Sequence, residues 1–176
     1  MKITKIIALL LVSVLTFSCS SDDDDNETNS LIGTWIMTGF LSENVYDLNE
    51  DGTASNNVIV ETGCYQNELI IISAAGEATI VSNSYLDIAL ELVAGTTDEY
   101  NYVFNCVISS TDYLTLGWDQ DGTTISFYDG SDLVAEANFS GITLTFVLPD
   151  AYDVEVVENG IIVNITEDLT YVYTKQ

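Results

Sequence analysis

Downstream of residue 31, apolar and polar residues alternate in short runs. From Glu99 to Ser109, Tyr100, Tyr102, Phe104, Cys106 and Ile108 fall on one face, with Asn101 and Asn105 on the other. Side chains on a strand point to opposite faces in turn, so this segment reads as a half-buried strand. Ile142, Leu144, Phe146 and Leu148 repeat the pattern against Thr143 and Thr145, and Leu169, Tyr171 and Tyr173 repeat it at the end of the chain. Leu69-Ile70-Ile71-Ile72, between Glu68 and Ser73, is apolar throughout and reads as a buried strand by composition. Val58-Ile59-Val60 reads as a further short strand, whereas Leu86 to Val93 fits either a strand or a turn of helix, because periodicity does not separate the two over so few residues. Between the runs stand Asp47–Gly52, Asp119–Gly122, Asp129-Gly130 and Asn159-Gly160. An Asn-Gly pair supplies the two positive-φ positions of a tight type I′ hairpin. The pattern is all-β: about eight to ten antiparallel strands forming a barrel or, alternatively, a β-sandwich.

The first thirty residues differ. Lys2 and Lys5 precede Ile6–Phe17, an apolar run without charge. A stable membrane-spanning helix needs about 20 apolar residues, so the run reads as an export signal over 1–18. Ser18-Cys19 follows, and then Ser20-Ser21-Asp22-Asp23-Asp24-Asp25. This resembles the lipobox of bacterial lipoproteins, with Thr16 where an aliphatic residue is usual. The acidic run is similar to the export signal of Bacteroidetes surface lipoproteins. The resemblance implies a lipid on Cys19, an outer-membrane location facing outward, and a polar linker over 19–30. Residues 31–176 then form one domain.

Charge narrows the function classes. The chain has 28 Asp and Glu against 3 Lys and Arg, no His, and a formal net charge of −25. The cations are Lys2, Lys5 and Lys175, so only Lys175 lies in the folded domain. Nucleic acid binding needs Lys and Arg to displace counterions, and is excluded. Without His there is no Ser-His or Cys-His device and no imidazole zinc site, so the chain reads as non-catalytic. The carboxylates, lacking cations to pair with, are expected on solvated faces and turns. Cys64 and Cys106 remain as an even pair in an oxidising exported setting, and are expected to form a disulfide.

Leu31-Ile32-Gly33-Thr34-Trp35 places Gly-x-Trp at the head of the first strand, and the chain ends Leu169-Thr170-Tyr171-Val172-Tyr173-Thr174-Lys175. With the acidic loop and Cys64 between them, these ends resemble the lipocalin-like domains of bacterial surface lipoproteins. The resemblance implies an up-and-down barrel whose Trp35 packs across the floor, with Gly33 letting the chain turn into it. Lipocalin floors usually stack an Arg on that Trp; this chain has none, so its floor has to close otherwise. The implied function is binding of a small apolar or aromatic ligand, for which Tyr100, Tyr102 and Phe104 are the candidate contacts. The alternatives are a structural or interaction domain filled by its own side chains, and an accessory to carbohydrate uptake. The last needs Trp118, Tyr113 and Tyr128 in a common groove.

One loop has ligand chemistry of its own. Asp47, Asn49, Asp51 and Thr53, with Gly52, match the first half of an EF-hand-type calcium loop. The bidentate Glu expected at its twelfth position is Val58, and no helix flanks the loop. It reads as a weak calcium site or as a solvated turn stabilised by its Asp and Asn side chains. No other cofactor is expected.

Overall fold

The computed structural model describes residues 30–176. Cys19 and the acidic run lie outside the described residues. From Gly33 to Lys175, nine strands and one short helix follow in order: β1 (Gly33–Tyr46), β2 (Ser55–Asn57), α1 (Val58–Thr62), β3 (Leu69–Ile72), β4 (Glu77–Leu92), β5 (Tyr100–Asp121), β6 (Thr124–Asp129), β7 (Asp132–Ser140), β8 (Thr143–Glu158) and β9 (Ile161–Lys175). The sheet runs β2-β1-β3-β4-β5-β6-β7-β8-β9, and β1 also pairs with β9. All pairings are antiparallel. That last pairing closes eight strands into an up-and-down, lipocalin-like barrel and leaves β2 as an extra strand, so the sandwich alternative falls away. Closure removes the free edges that an open sheet would present in the lower part of the barrel.

Trp35 closes the floor. It is fully buried, gives its indole N–H to the Leu31 carbonyl at 2.8 Å, and meets the ring of Phe139 edge-on at 5.9 Å. Lys175 fills the place of the missing Arg. Its Nζ lies 5.7 Å from the centre of the Trp35 ring and donates to the Ser30 carbonyl. A cation over an indole face is attracted by the ring quadrupole. Gly33 has φ +143°, and a Cβ there would lie 3.0 Å from Lys175 Cε. The glycine is therefore needed both for its backbone angle and for the close approach of the lysine.

At the opposite end, the segment from Asp47 to Tyr65 crosses toward β3. Val58–Val60 lies in α1, not in a strand as expected. Asn57 Oδ1 caps the helix by accepting from Ile59 N–H, and Gly63, at φ 68°, ends it by donating to the Ile59 carbonyl. These flanking signals outweigh the β-branched run between them, and Val58 joins the buried core.

Three carboxylates are buried rather than solvated: Glu61, Glu68 and Glu167. Each collects N–H or O–H donors in place of a cation. Glu61 accepts from Leu48 N–H. Glu68 accepts from Asn83 N–H and from both the N–H and hydroxyl of Ser84. Glu167 accepts from Glu43 N–H, Asn44 Nδ2 and the Tyr46 hydroxyl. A buried carboxylate is tolerable when its lone pairs are filled in this way.

Leu86 to Val93 resolves as strand, in the upper part of β4. Asn159 and Gly160 take φ 53° and 76°, the tight turn expected between β8 and β9. Pro149 sits within β8, where the pairing with β9 slips between Leu148 and Tyr152. Asp150 there takes φ 49° and gives its N–H to Asp168.

The walls are uneven. The β4–β5 and β8–β9 hairpins pair along nearly their whole lengths and rise as two arms. Between them β6 has only 6 residues. Pairing of β5 to β6 stops at Gly117, and pairing of β8 to β7 stops at Phe146. Beyond those residues β5 and β8 face each other across a notch. The arms meet again at their tips, where Tyr102 gives its hydroxyl proton to the Glu155 carbonyl at 3.4 Å.

Candidate ligand cavity

The alternation that builds each strand decides what faces inward. Trp35 pairs with Ile70 and Ile70 with Ile80, so one inner row crosses β1, β3 and β4. Leu144, Phe146 and Leu148 continue it on β8, opposite Tyr173, Tyr171 and Leu169 of β9. Not all of this interior is filled. A cavity of about 150 Å³ is lined by Ile70, Ile80, Ala135, Phe146, Leu148, Tyr171 and Tyr173. Ala135, Leu148 and Ile80 also border the notch, so the cavity reaches solvent there. Leu114 reports the same opening: it pairs with Ile80, yet is 49% exposed.

The lining is apolar apart from two phenols. Tyr173 is only 7% exposed. Its hydroxyl and that of Tyr171 make no hydrogen bond among the described residues, and neither is sealed from a probe molecule. Burial pushes both phenols above their ordinary range; the Glu68 carboxylate and Tyr171 add to this at Tyr173, and Tyr65 adds to it at Tyr171. Both therefore stand as neutral donors. Tyr171 stacks on Phe40 at 4.9 Å, and Phe40 meets Tyr65 edge-on at 5.0 Å. This aromatic partition separates the cavity from two smaller pockets above it, of about 40 and 50 Å³, which Tyr102, Tyr152 and Val154 line between the arms.

Tyr100, Tyr102 and Phe104 share one half-buried face, as their alternation implied, but it is the inner face of the β4–β5 arm and not the lumen wall. Tyr102 meets Tyr46 edge-on at 5.9 Å and lines the upper pockets. Phe104 borders an open groove against Leu48, Asn49 and Glu50. Ile108 is exposed, at the end of the continuous pairing where β4 and β5 slip between Ser82 and Ser84. The lumen residues Ile70, Ile80, Ala135, Phe146, Tyr171 and Tyr173 were not among the candidates. Counting alternate positions along Leu169-Tyr171-Tyr173 would have placed two of them on one face; nothing local would have placed the rest.

Cys64 and Cys106 form the expected disulfide, with Cα atoms 5.6 Å apart. It ties the link between α1 and β3 to the β4–β5 arm. In the acidic loop, Asp47, Asn49 and Asp51 turn their side-chain oxygens onto the loop's own backbone: Asp47 accepts from Asp51 and Gly52 N–H, Asn49 from Asp51 N–H, and Asp51 from Thr53 N–H. Among the described residues, no group of three or more His, Cys, Asp and Glu is arranged to hold a metal ion. Trp118 pairs with the buried Phe127, and its indole N–H goes to the Ser73 carbonyl at 3.2 Å. Tyr128 pairs with Gly117 on the opposite face and Tyr113 is exposed, so the three aromatics share no groove.

Fold and cavity together define a lipocalin-like barrel with a small, laterally open apolar lumen. No protein-family model matches the sequence, and no curated protein and no solved structure matches it.

Proposed function

We propose that the protein is a non-catalytic lipoprotein, anchored through Cys19 to the outer face of the outer membrane, that binds a small apolar or aromatic molecule in its barrel. The observation that carries this reading is the open apolar cavity of about 150 Å³ with its two unbonded phenols. Barrels of about eight strands are either filled by side chains or hold one small ligand. An apolar cavity of about 150 Å³ holds a benzene-sized molecule. The anchor reading rests on the Ser18-Cys19 junction and the acidic run after it, and the disulfide suits an exported setting. The rival, a structural or interaction module, gains support from the Phe40, Tyr65 and Tyr171 partition, which fills the middle of the barrel.

One experiment separates the two. A Cys19→Ser chain is expected in the soluble exported fraction, without acyl chains. Mass spectrometry of its organic extract should find a small molecule carried with it. An added Ala135→Trp should fill the cavity and remove that molecule while the fold survives. An extract as empty as that of the filled variant would favour the structural module, and membrane retention of the Cys19→Ser chain would remove the anchor.

A further inference from the structure

We infer that the lumen takes the uncharged, hydrogen-bond-accepting end of an apolar molecule (a ring or short chain bearing a hydroxyl, carbonyl or ether oxygen) through the notch between β5 and β8, and turns away carboxylates. This rests on the ligand-binding reading above and adds the ligand's chemical class and its route.

The donors are in place. Tyr173 is more than nine-tenths buried, lines the cavity and has an unpartnered hydroxyl; Tyr171, two residues before it, faces the same space. A ligand oxygen accepting from either hydroxyl gains a donor that no described residue uses, in a setting where water competes weakly. The aliphatic and aromatic lining offers the rest of the ligand dispersion contact and burial, but no polar competition.

What the lumen lacks decides what it refuses. The chain has no Arg and no His. Lys175, the one cation of the folded domain, lies over Trp35 at the floor and is held by the Ser30 carbonyl. Beyond burial, the ionisable neighbours that raise the Tyr173 phenol are the Glu68 carboxylate and the Tyr171 phenol, and neither is a cation. Asp112, Asp132, Glu136 and Asp150, all exposed, stand on the strands beside the notch. A ligand carboxylate would lose its hydration without gaining a cation, and would approach through a field of its own sign. Two neutral phenols do not offset that. The route follows from the walls. Leu114 and Leu133 leave exposed apolar surface on the strands beside the notch, while the floor is shut by Trp35 and the arms meet at their tips.

The test is a methyl-observed NMR titration of the full chain carrying Cys19→Ser, at neutral pH, with toluene, benzyl alcohol and benzoate as probes. Benzyl alcohol should move the methyl signals of Ala135, Ile70 and Ile80 to saturation, and benzoate should need at least ten times the concentration. Tyr171→Phe with Tyr173→Phe removes two hydroxyls that make no hydrogen bond among the described residues, so the fold should persist. In that variant the alcohol should lose at least threefold in affinity while toluene keeps its own. Benzoate binding as tightly as the alcohol would overturn the inference and leave the ligand-binding reading standing. An alcohol affinity unchanged in the double variant would overturn the role of the phenols. If none of the three probes moves these methyls, the ligand-binding reading itself fails.

Discussion

Single residues set the shape of the floor. Gly33 is the clearest, because two constraints meet on it: φ +143°, and Lys175 Cε where a Cβ would sit. A side chain there must strain the backbone and push the lysine off Trp35 together. Gly33→Ala should lower unfolding stability by about 1–3 kcal/mol, the usual cost of a residue forced into such a backbone region. Urea titration followed by Trp fluorescence measures it, and a midpoint equal to the parent's would mean that the first strand relaxes freely. The same loss is not expected at Gly52, where a Cβ would meet nothing within 4 Å although φ is +87°; only the backbone part of the penalty applies there.

Elements show how far local pattern reaches. The start of the first strand at Gly33-Thr34-Trp35, the Asn159-Gly160 hairpin and the Cys64–Cys106 pair were all legible, because alternation, turn chemistry and cysteine count act within a few residues or by simple exclusion. Val58–Val60 misled, since three β-branched or aliphatic residues in a row say less than the Asn57 cap and Gly63 stop around them. The height of Tyr100, Tyr102 and Phe104 was not legible either. Alternation gives their face, but the stagger of strands on closing the barrel carries that face above the lumen. Nor do the buried glutamates announce themselves: Glu167 finds its donors on β1, more than a hundred residues away in sequence. The disulfide is what holds the cap segment to the arm at this height, beside Tyr65, whose hydroxyl accepts from Leu86 N–H. Its partners are 42 residues apart, for which chain entropy predicts about 4 kcal/mol. Cys64→Ala with Cys106→Ala should therefore lower stability by up to that amount. Reductant should shift the parent's denaturant midpoint and leave the double variant's unmoved; a parent indifferent to reductant, with the bond verified broken by mass, would show that the cap stays docked without it.

For the whole molecule the deciding quantity is charge. Residues 31–176 carry 23 Asp and Glu against one Lys, a formal −22, and that cation is engaged at the floor. Folding gathers these carboxylates into a smaller volume, and the arms bring some especially close: a Cβ on Gly160 would lie 3.3 Å from Asp98 Cβ, with Glu158 beside it in sequence. The unfolded chain holds the same charges farther apart, so repulsion weighs against the native state and salt should relieve it. The Debye length falls from about 30 Å at 0.01 M to about 10 Å at 0.1 M. Most of the relief should thus come below about 0.2 M, where general effects of salt on apolar surface are still small. The melting temperature in sodium chloride should climb steeply over that range and then flatten. The double cysteine variant should climb at least as steeply, because only packing and hydrogen bonds such as those of Tyr65 and Tyr102 then hold its arm against the repulsion. A melting temperature that does not move between low and moderate ionic strength would mean that the exposed carboxylates are already far enough apart to ignore one another. The negative field invoked at the notch would then be too weak to select among ligands, leaving the missing cation as the only ground for refusing an acid.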